Sequence, residues 1–361
     1  MRWPRSRAGR LGLIALAAAL VVVVLGVGAA AHKHAATSSV RTSPPPPPPA
    51  NVVHALLGAT TPPLVVTYLF YWYNAASSQH LRPQDGLPIH LPDSPAPSWQ
   101  SVPWFETQLK DMTDADINVA LPDYWGSSPE QEWSIEGLTT LVQARAELVA
   151  EHMDPPSIGM FYDTSIIKGV DLTTEAGINE FYYNIRTFFM AIPEDDWARV
   201  DGRPLIWLFL PQDNNFDQRV FDATYARFTE DFKIRPFIVR ATGWNCATTV
   251  ANCGERIHTD ASYVWGVAQD GMQATELVAA AGPGYDDRLI PGRAPEVVPR
   301  EGGAYYRKNL AAAVRSGRPI VAIETWNEIH EASAICETVE YGRTYIDLTR
   351  SIVETARQDG A

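Results

Sequence analysis

Two glutamates three residues apart, Glu328 and Glu331, stand in the stretch Ile323-Glu324-Thr325-Trp326-Asn327-Glu328-Ile329-His330-Glu331. Cleaving a glycosidic bond needs one group to protonate the departing oxygen and another to supply or activate a nucleophile. Two carboxyl groups do both when their surroundings set their pKa values apart. On a helical turn, positions i and i+3 face the same way with Cβ atoms about 5–6 Å apart, so both would reach one sugar ring. Acids at this spacing also decorate solvated helix faces; what singles out this pair is its company of Trp326, Asn327 and His330 directly after an apolar run. Glu324 can be an acid in the floor of a cleft or a structural hydrogen-bond anchor, and the anchor is favoured. His330 can tune its neighbours or bind substrate. It lacks the second His four residues on that zinc proteases carry, so neither metal nor cofactor is expected.

The elements that must position these groups follow from hydrophobic patterning. Pro319–Thr325 has the β-branched composition of a strand buried on both faces. Seven more apolar runs precede it: Leu64–Tyr71, Ile117–Leu121, Ser157–Phe161, Pro204–Leu210, Pro236–Ala241, Ser262–Val267 and Leu277–Ala281. Helical periodicity separates them, clearest at Leu138–Glu151, Ile178–Met190, Asp222–Phe232 and Tyr305–Val314, with a closing helix at Tyr345–Ala356. Alternation of strand and helix implies parallel strands, and eight repeats over about 300 residues are the dimensions of an α/β fold of the (β/α)8 TIM-barrel type. Arg-Pro precedes three of the runs, at Arg203-Pro204, Arg235-Pro236 and Arg318-Pro319. Proline is tolerated at a strand's first residue, so these read as equivalent strand entries.

In such a barrel the carboxyl ends of the strands share one face, where catalysts sit. That face would carry Tyr71, Trp72 and Tyr73 after the first strand, Asp123, Tyr124 and Trp125 after the second, and Tyr162 and Asp163 after the third. Trp244 follows the fifth, Tyr285 and Asp286 the seventh, and Trp326, Asn327 and His330 the eighth. Aromatic faces suit the C–H face of a pyranose, and Asp and Asn suit its hydroxyls. For Trp72, Trp125 and Trp244, which adjoin turn or polar residues, lining the cleft and packing in the core both remain open. Trp207 and Tyr68, inside apolar strands, read as core.

The remaining features bound the setting. Arg2, Arg5, Arg7 and Arg10 precede an uncharged apolar run, Leu11 to about Ala31, near the ~20 residues a spanning helix needs. Residues 1–31 are therefore a signal peptide or a membrane anchor, and the rest is expected outside the cytoplasm, secreted or tethered at the cell surface. Residues 32–63 form a Ser/Pro-rich linker containing six consecutive prolines, a stiff spacer, and residues 64–361 form the barrel. The first 50 residues hold six basic side chains and no acid, so the barrel is more acidic than the whole-chain charge of −13. That argues against nucleic acid as a partner and leaves carbohydrate, handled by a single chain. Cys246 and Cys253 share one loop and can close a short disulfide in an oxidising compartment, leaving Cys336 unpaired.

Asn327-Glu328-Ile329-His330-Glu331 resembles the Asn-Glu-Trp-His-Glu signature of glycoside hydrolase family 99, the endo-α-mannosidase family. Tyr71-Trp72-Tyr73 and Pro283-Gly284-Tyr285-Asp286-Asp287 resemble further motifs of that family in the same order, and Gly342 with Tyr345 extends the likeness. The resemblance implies a (β/α)8 fold, no metal, and retaining cleavage of α-mannosides through neighbouring-group participation, with Glu328 as base and Glu331 as general acid. This chain departs from the signature at Ile329, at Ala332-Ser333 and at Cys336-Glu337. The expectation is an exported retaining glycoside hydrolase acting on an α-linked glycan or polysaccharide, α-mannan-like favoured. The alternative is a non-catalytic carbohydrate-binding barrel.

Overall fold

A computed structural model describes residues 63–359; the leader (1–31) and all but the last residue of the linker (32–63) lie outside the described residues. The barrel strands are β1 (Leu64–Leu69), β2 (Val119–Tyr124), β3 (Ser157–Ile158 and Met160–Tyr162), β4 (Arg203–Leu208), β5 (Phe237–Ala241), β6 (Ala261–Tyr263), β7 (Val278–Ala281) and β8 (Ile320–Ile323). Every apolar run expected to be a strand is one. Neighbours pair in parallel, and β8 lies between β1 and β7, with Leu64 opposite Ile320 and Val278 opposite Ile320. The ladder runs unbroken from β6 back through β1 and β8 to β7. Between β6 and β7 a side chain takes over: Thr275 Oγ1 donates to Ser262 O at 2.5 Å, and Thr275 N to Val278 O at 2.8 Å.

The helices are α1 (Val102–Asp114), α2 (Glu132–Ala150), α3 (Glu175–Ala191), α4 (Gln218–Phe232), α5 (Val267–Asp270), α6 (Ala304–Val314) and α7 (Thr344–Asp359). Alternation is therefore not strict. Only short 3₁₀ turns join β5 to β6, and α5 after β6 is a single turn. Besides the single-turn α5, the sequence reading does not single out helix α1. Its start is set by Ser101, whose Oγ accepts from Trp104 N at 3.3 Å, and Pro103 fits the first turn, where a missing N–H costs nothing. Its buried stripe of Trp104, Phe105, Leu109 and Met112 faces the barrel. Among the described residues no helix is long and apolar enough to cross a membrane.

Aromatic rings fill the barrel interior: Tyr68 packs on Phe161 at 4.8 Å and Trp207 on Tyr263 at 4.8 Å. Tyr68 and Trp207 are core, as expected. Cys246 and Cys253 are disulfide-bonded, and the Cys336 thiol is free and buried.

Two of the three Arg-Pro entries share one partner. Arg203 Nη1 and Arg235 Nη1 both reach Asp260 Oδ1, at 2.6 and 2.8 Å, while Oδ2 accepts from Tyr225 OH at 2.6 Å and Ile238 N at 2.9 Å. Asp260 thus ties the starts of β4 and β5 to α4. Among the described residues Arg318 has no such link. Burial acts to raise the Asp260 carboxyl, but the Ile238 amide, Tyr225 and the two arginines outweigh it and hold it below the ordinary range. Its stabilising effect is therefore present above the ordinary aspartate pKa and lost as pH falls through the depressed value. Asp260→Ala should cost about 2–4 kcal/mol in urea denaturation at pH 7, since it strands two arginines and a tyrosine, and less at pH 3. A cost equal at both pH values would contradict this linkage.

Candidate active site

The segment after β8 is a loop, not the helical turn that the i, i+3 spacing suggested. It folds back on itself through Thr325 N to Ser333 O (2.9 Å), Ser333 N to Glu328 O (3.1 Å) and Cys336 N to Trp326 O (2.8 Å). Asn327 fastens it to the first strand: its Oδ1 accepts from Phe70 N and its Nδ2 donates to Phe70 O, both at 2.7 Å. Tyr73 OH donates to Asn327 O at 2.8 Å, and Trp326 N to Tyr68 O at 3.0 Å. A tight turn then closes with Ala332 N to Ile329 O at 3.4 Å; Ile329 is buried in the core, and Glu328 and Glu331 are near enough for the charge of one to act on the other.

The two glutamates meet different partners. Glu328 Oε1 accepts from both the backbone N–H of His330 and its ring Nδ1, each at 2.8 Å. Burial acts to raise this carboxyl, but the charge and hydrogen bonds of His330 outweigh it, and the net direction is down. Glu331 Oε1 receives Arg293 Nη1 at 2.6 Å, in a pair whose side chains are 16% and 17% exposed. Burial raises Glu331, the Glu328 charge raises it further, and Arg293 only partly offsets them; the net direction is up. The pair is thus split into a carboxylate and a group that holds its proton to higher pH.

The loop after β7 supports Glu331. Gly284, at φ +118°, has no room for a side chain, because a Cβ would sit 2.7 Å from Val298 O. The turn there sets Tyr285–Asp286 against Val297–Val298, and Asp286 N donates to Glu331 O at 2.8 Å. Arg293 bridges Glu331, Tyr285 OH (2.9 Å) and Asp287 Oδ2 (3.6 Å). Asp286 itself is occupied by Arg288, at 2.9 and 2.7 Å, so it props the loop.

A second carboxyl pair lies at the ends of β2 and β3. Asp123 is 0% exposed; its Oδ2 accepts from Trp125 Nε1 at 2.9 Å and its Oδ1 has no partner among the described residues. Burial, then the charge of Asp163, push Asp123 well above the usual range. Asp163 accepts from Ser165 N at 2.8 Å and is raised by burial to about 6, against those hydrogen bonds.

Of the residues read as lining a cleft, the structure gathers Trp72, Trp125, His330, Asp123 and the Glu328/Glu331 pair: Trp72 lies 6.2 Å from Trp125 and 6.1 Å from His330, ring to ring. Six others are packed inside. Tyr71 OH donates to Ser134 O, and Tyr162 OH accepts from Asn184; Tyr124 packs on Phe188. Trp244 Nε1 donates to Phe209 O at 2.5 Å amid phenylalanine rings, and Trp326 Nε1 to Gln108 on α1 at 2.8 Å. Asn327 is the clamp described above, so these six hold the scaffold. Tyr73, also fully buried, stacks on His330. Sequence reasoning missed Arg293, His80 and Trp265. Trp265 is half-buried, 5.1 Å from Tyr68 and stacked on Phe161.

Glu324 has the anchoring geometry expected of it. Its carboxyl accepts from Gly266 N (3.0 Å) and Val267 N (3.0 Å), fixing the start of α5. Among the described residues no group of three or more His, Cys, Asp or Glu could hold a metal ion.

Solved structures share this architecture. A glycoside hydrolase family 99 endo-α-mannosidase from Bacteroides thetaiotaomicron, in complex with bis-tris propane, superposes with TM-score 0.62 at 17% identity, over 82% of this chain and 98% of that one. A second structure of the endo-α-mannosidase from that organism gives 0.61 at 16%, over 82% and 98%, and a glycoside hydrolase-like protein 0.57 at 14%, over 84% and 96%. At these identities the likeness establishes the fold, a (β/α)8 barrel of the family 99 type, and it agrees with the resemblance read from the Asn327–Glu331 motif. By sequence, the chain belongs to the family described as a domain of unknown function, DUF5010, whose profile matches residues 65–359. No curated protein matches it.

Burial raises the Glu324 carboxyl to about 8, against the Val267 and Gly266 amides, which lower it. A folded-state pKa above the unfolded one adds stability at low pH that is lost as pH rises from about 4.5 to about 8. Glu324→Gln cannot titrate, so between pH 5 and pH 8 the variant should gain on the wild type by up to about 4 kcal/mol in urea denaturation. A difference that does not change with pH would contradict the assignment.

Proposed function

We propose that this chain is a retaining glycoside hydrolase acting on an α-linked glycan or polysaccharide, with α-mannan-like substrates favoured. The observation that carries the reading is the different setting of two carboxyl groups on one turn. Buried Glu328 accepts from the ring and amide of His330, which draw it toward the ionised form, while partly buried Glu331 is raised by burial and by the Glu328 charge in spite of Arg293. The preference for mannose is supported by the signature at Asn327–Glu331 and by the endo-α-mannosidase whose fold the chain shares.

In this mechanism Glu328 takes the proton of the sugar's 2-hydroxyl, whose oxygen attacks the anomeric carbon to form a 1,2-anhydro sugar. Glu331 gives its proton to the departing glycosidic oxygen as the bond to the anomeric carbon breaks. Water then opens the anhydro ring at the anomeric carbon, with Glu331 taking the water's proton and Glu328 returning one to the 2-oxygen. Two inversions give net retention. Both carboxyls serve one ring, which fits their place on a single turn rather than on opposite sides of a wide cleft. Arg293, on Glu331 Oε1, leaves the other oxygen to carry the proton. The departure from the signature at Ile329 lies in the packed core, so it alters support beneath the turn. The basic, apolar leader at residues 1–31 supports export, with the barrel secreted or held at the cell surface.

The full chain should release reducing ends from α-mannan in a screen that also holds α-glucan and arabinan. Glu328→Gln and Glu331→Gln should each lower turnover on glycans by about 10³-fold or more with melting temperatures nearly unchanged. On a substrate with an activated leaving group, the release of that group should recover most of its rate in Glu331→Gln and none in Glu328→Gln. Such a group departs without a proton, whereas the 2-hydroxyl still needs its base. Glycan binding without release on every substrate would favour the non-catalytic carbohydrate-binding barrel, and retained turnover in either variant would reject the residue roles.

A further inference from the structure

His330 contacts Glu328 twice through the same oxygen, and no described residue donates a hydrogen bond to the other oxygen, Oε2. A carboxylate only accepts, so the contact requires the ring's proton on Nδ1. Packing fixes the ring's orientation. It lies face to face with Tyr73 (centroids 6.1 Å apart, planes at 14°) and edge-on to Trp72 at 6.1 Å and His80 at 5.6 Å.

The second ring nitrogen, Nε2, is buried and has no partner among the described residues. Trp72 Nε1, on a ring touching that of His330, is buried and unpartnered too. A buried polar atom without a hydrogen bond is costly, and next to a candidate catalytic group it is a place where a bound water or a ligand can supply the partner. Here one is a fixed N–H donor, and the other accepts when the imidazole is neutral and donates when it is charged. Adjacent hydroxyls of a sugar, each both donor and acceptor, satisfy such a pair.

We propose that His330 is a positioning residue with two functions: Nδ1–H fixes Glu328 Oε1 so that Oε2 alone meets the reacting hydroxyl, and the unpartnered Nε2 receives a second hydroxyl of the same sugar. The proposal rests on the glycosidase reading of Glu328. It makes recognition of that hydroxyl and activation of the base properties of one ring, so a substrate lacking the hydroxyl is bound and turned over less well. Among the described residues the charged and titratable groups facing His330 are Glu328, Glu331, Asp85, His80 and Tyr73. Burial lowers the imidazole, the charge and hydrogen bond of Glu328 outweigh this, and the net direction is up, so the Glu328–His330 pair persists as pH falls.

The test has a readout that needs no turnover. In ¹⁵N-imidazole spectra of the full chain, His330 should be the Nδ1–H tautomer when neutral, and Glu328→Gln should lower its pKa. An Nε2–H tautomer, or a titration indifferent to Glu328→Gln, overturns the proposal. In kinetics, His330→Asn, which keeps a donor near Nδ1 and lacks Nε2, should raise KM about tenfold with a smaller change in kcat. His330→Ala should lower kcat by about 10²-fold and move the acidic limb of the pH profile to higher pH, because Glu328 loses what holds it ionised. Equal losses in the two variants with the acidic limb unmoved would reduce His330 to packing. A wild type that shows the predicted spectra and hydrolyses no α-glycoside would instead sink the glycosidase reading and leave the Glu328–His330 geometry standing.

Discussion

The polar turn after β8 has no secondary structure to hold it, and the clamp between Asn327 and Phe70 is what seats it. The Asn327 side-chain amide meets both backbone groups of Phe70 at 2.7 Å, a paired contact that an extended strand makes with its neighbour, here made by a side chain where the ladder of β1 and β8 has run out. Tyr73 then locks the Asn327 carbonyl from the following residues of the same chain segment. Everything that concerns chemistry hangs from this: Glu328 is the next residue, His330 stacks on Tyr73, and Glu331 closes the turn.

Two supports reach that turn from different sides, each drawing its carboxyl toward the ionised form but with different success. His330 draws Glu328 toward the ionised form, while the loop after β7 brings Arg293, Tyr285 and Asp287 against Glu331. Burial dominates both carboxyls, so without a specific partner each would rise. The imidazole overturns that for one and the arginine does not for the other, and the Glu328 charge widens the gap. Beneath them, Glu324 accepts from the amides of Gly266 and Val267. Its two backbone amide contacts secure α5 where the sheet between β6 and β7 lacks a ladder.

The architecture was legible because buried parallel strands are short β-branched or apolar runs with few alternatives, and all eight emerge at the expected places. Helix α1 was not, since Val102-Pro103 looks like an interruption unless Ser101 is recognised as its cap. The carboxylate pair was legible from residue type and position. The aromatic lining was only partly so: Trp72 and Trp125 reach the site, yet Tyr71, Tyr124, Tyr162, Trp244 and Trp326 are packed behind it. A ring just past a strand can turn inward to the cleft or outward to the helices, and residue type alone does not choose. Arg293 could not be found by spacing at all, because it lies in an irregular loop 38 residues before its partner.

The central claim is that Glu328 and Glu331 have opposite protonation tendencies imposed by His330, burial and each other. It is tested most directly by ¹³C NMR of the full chain labelled at glutamate side-chain carboxyls, with Glu328→Gln and Glu331→Gln used to assign the two signals. The account predicts that the pair titrates in two separate steps, the Glu328 signal moving below the usual glutamate range and the Glu331 signal above it. The reverse order, or a single step at an ordinary glutamate value for both, would contradict it.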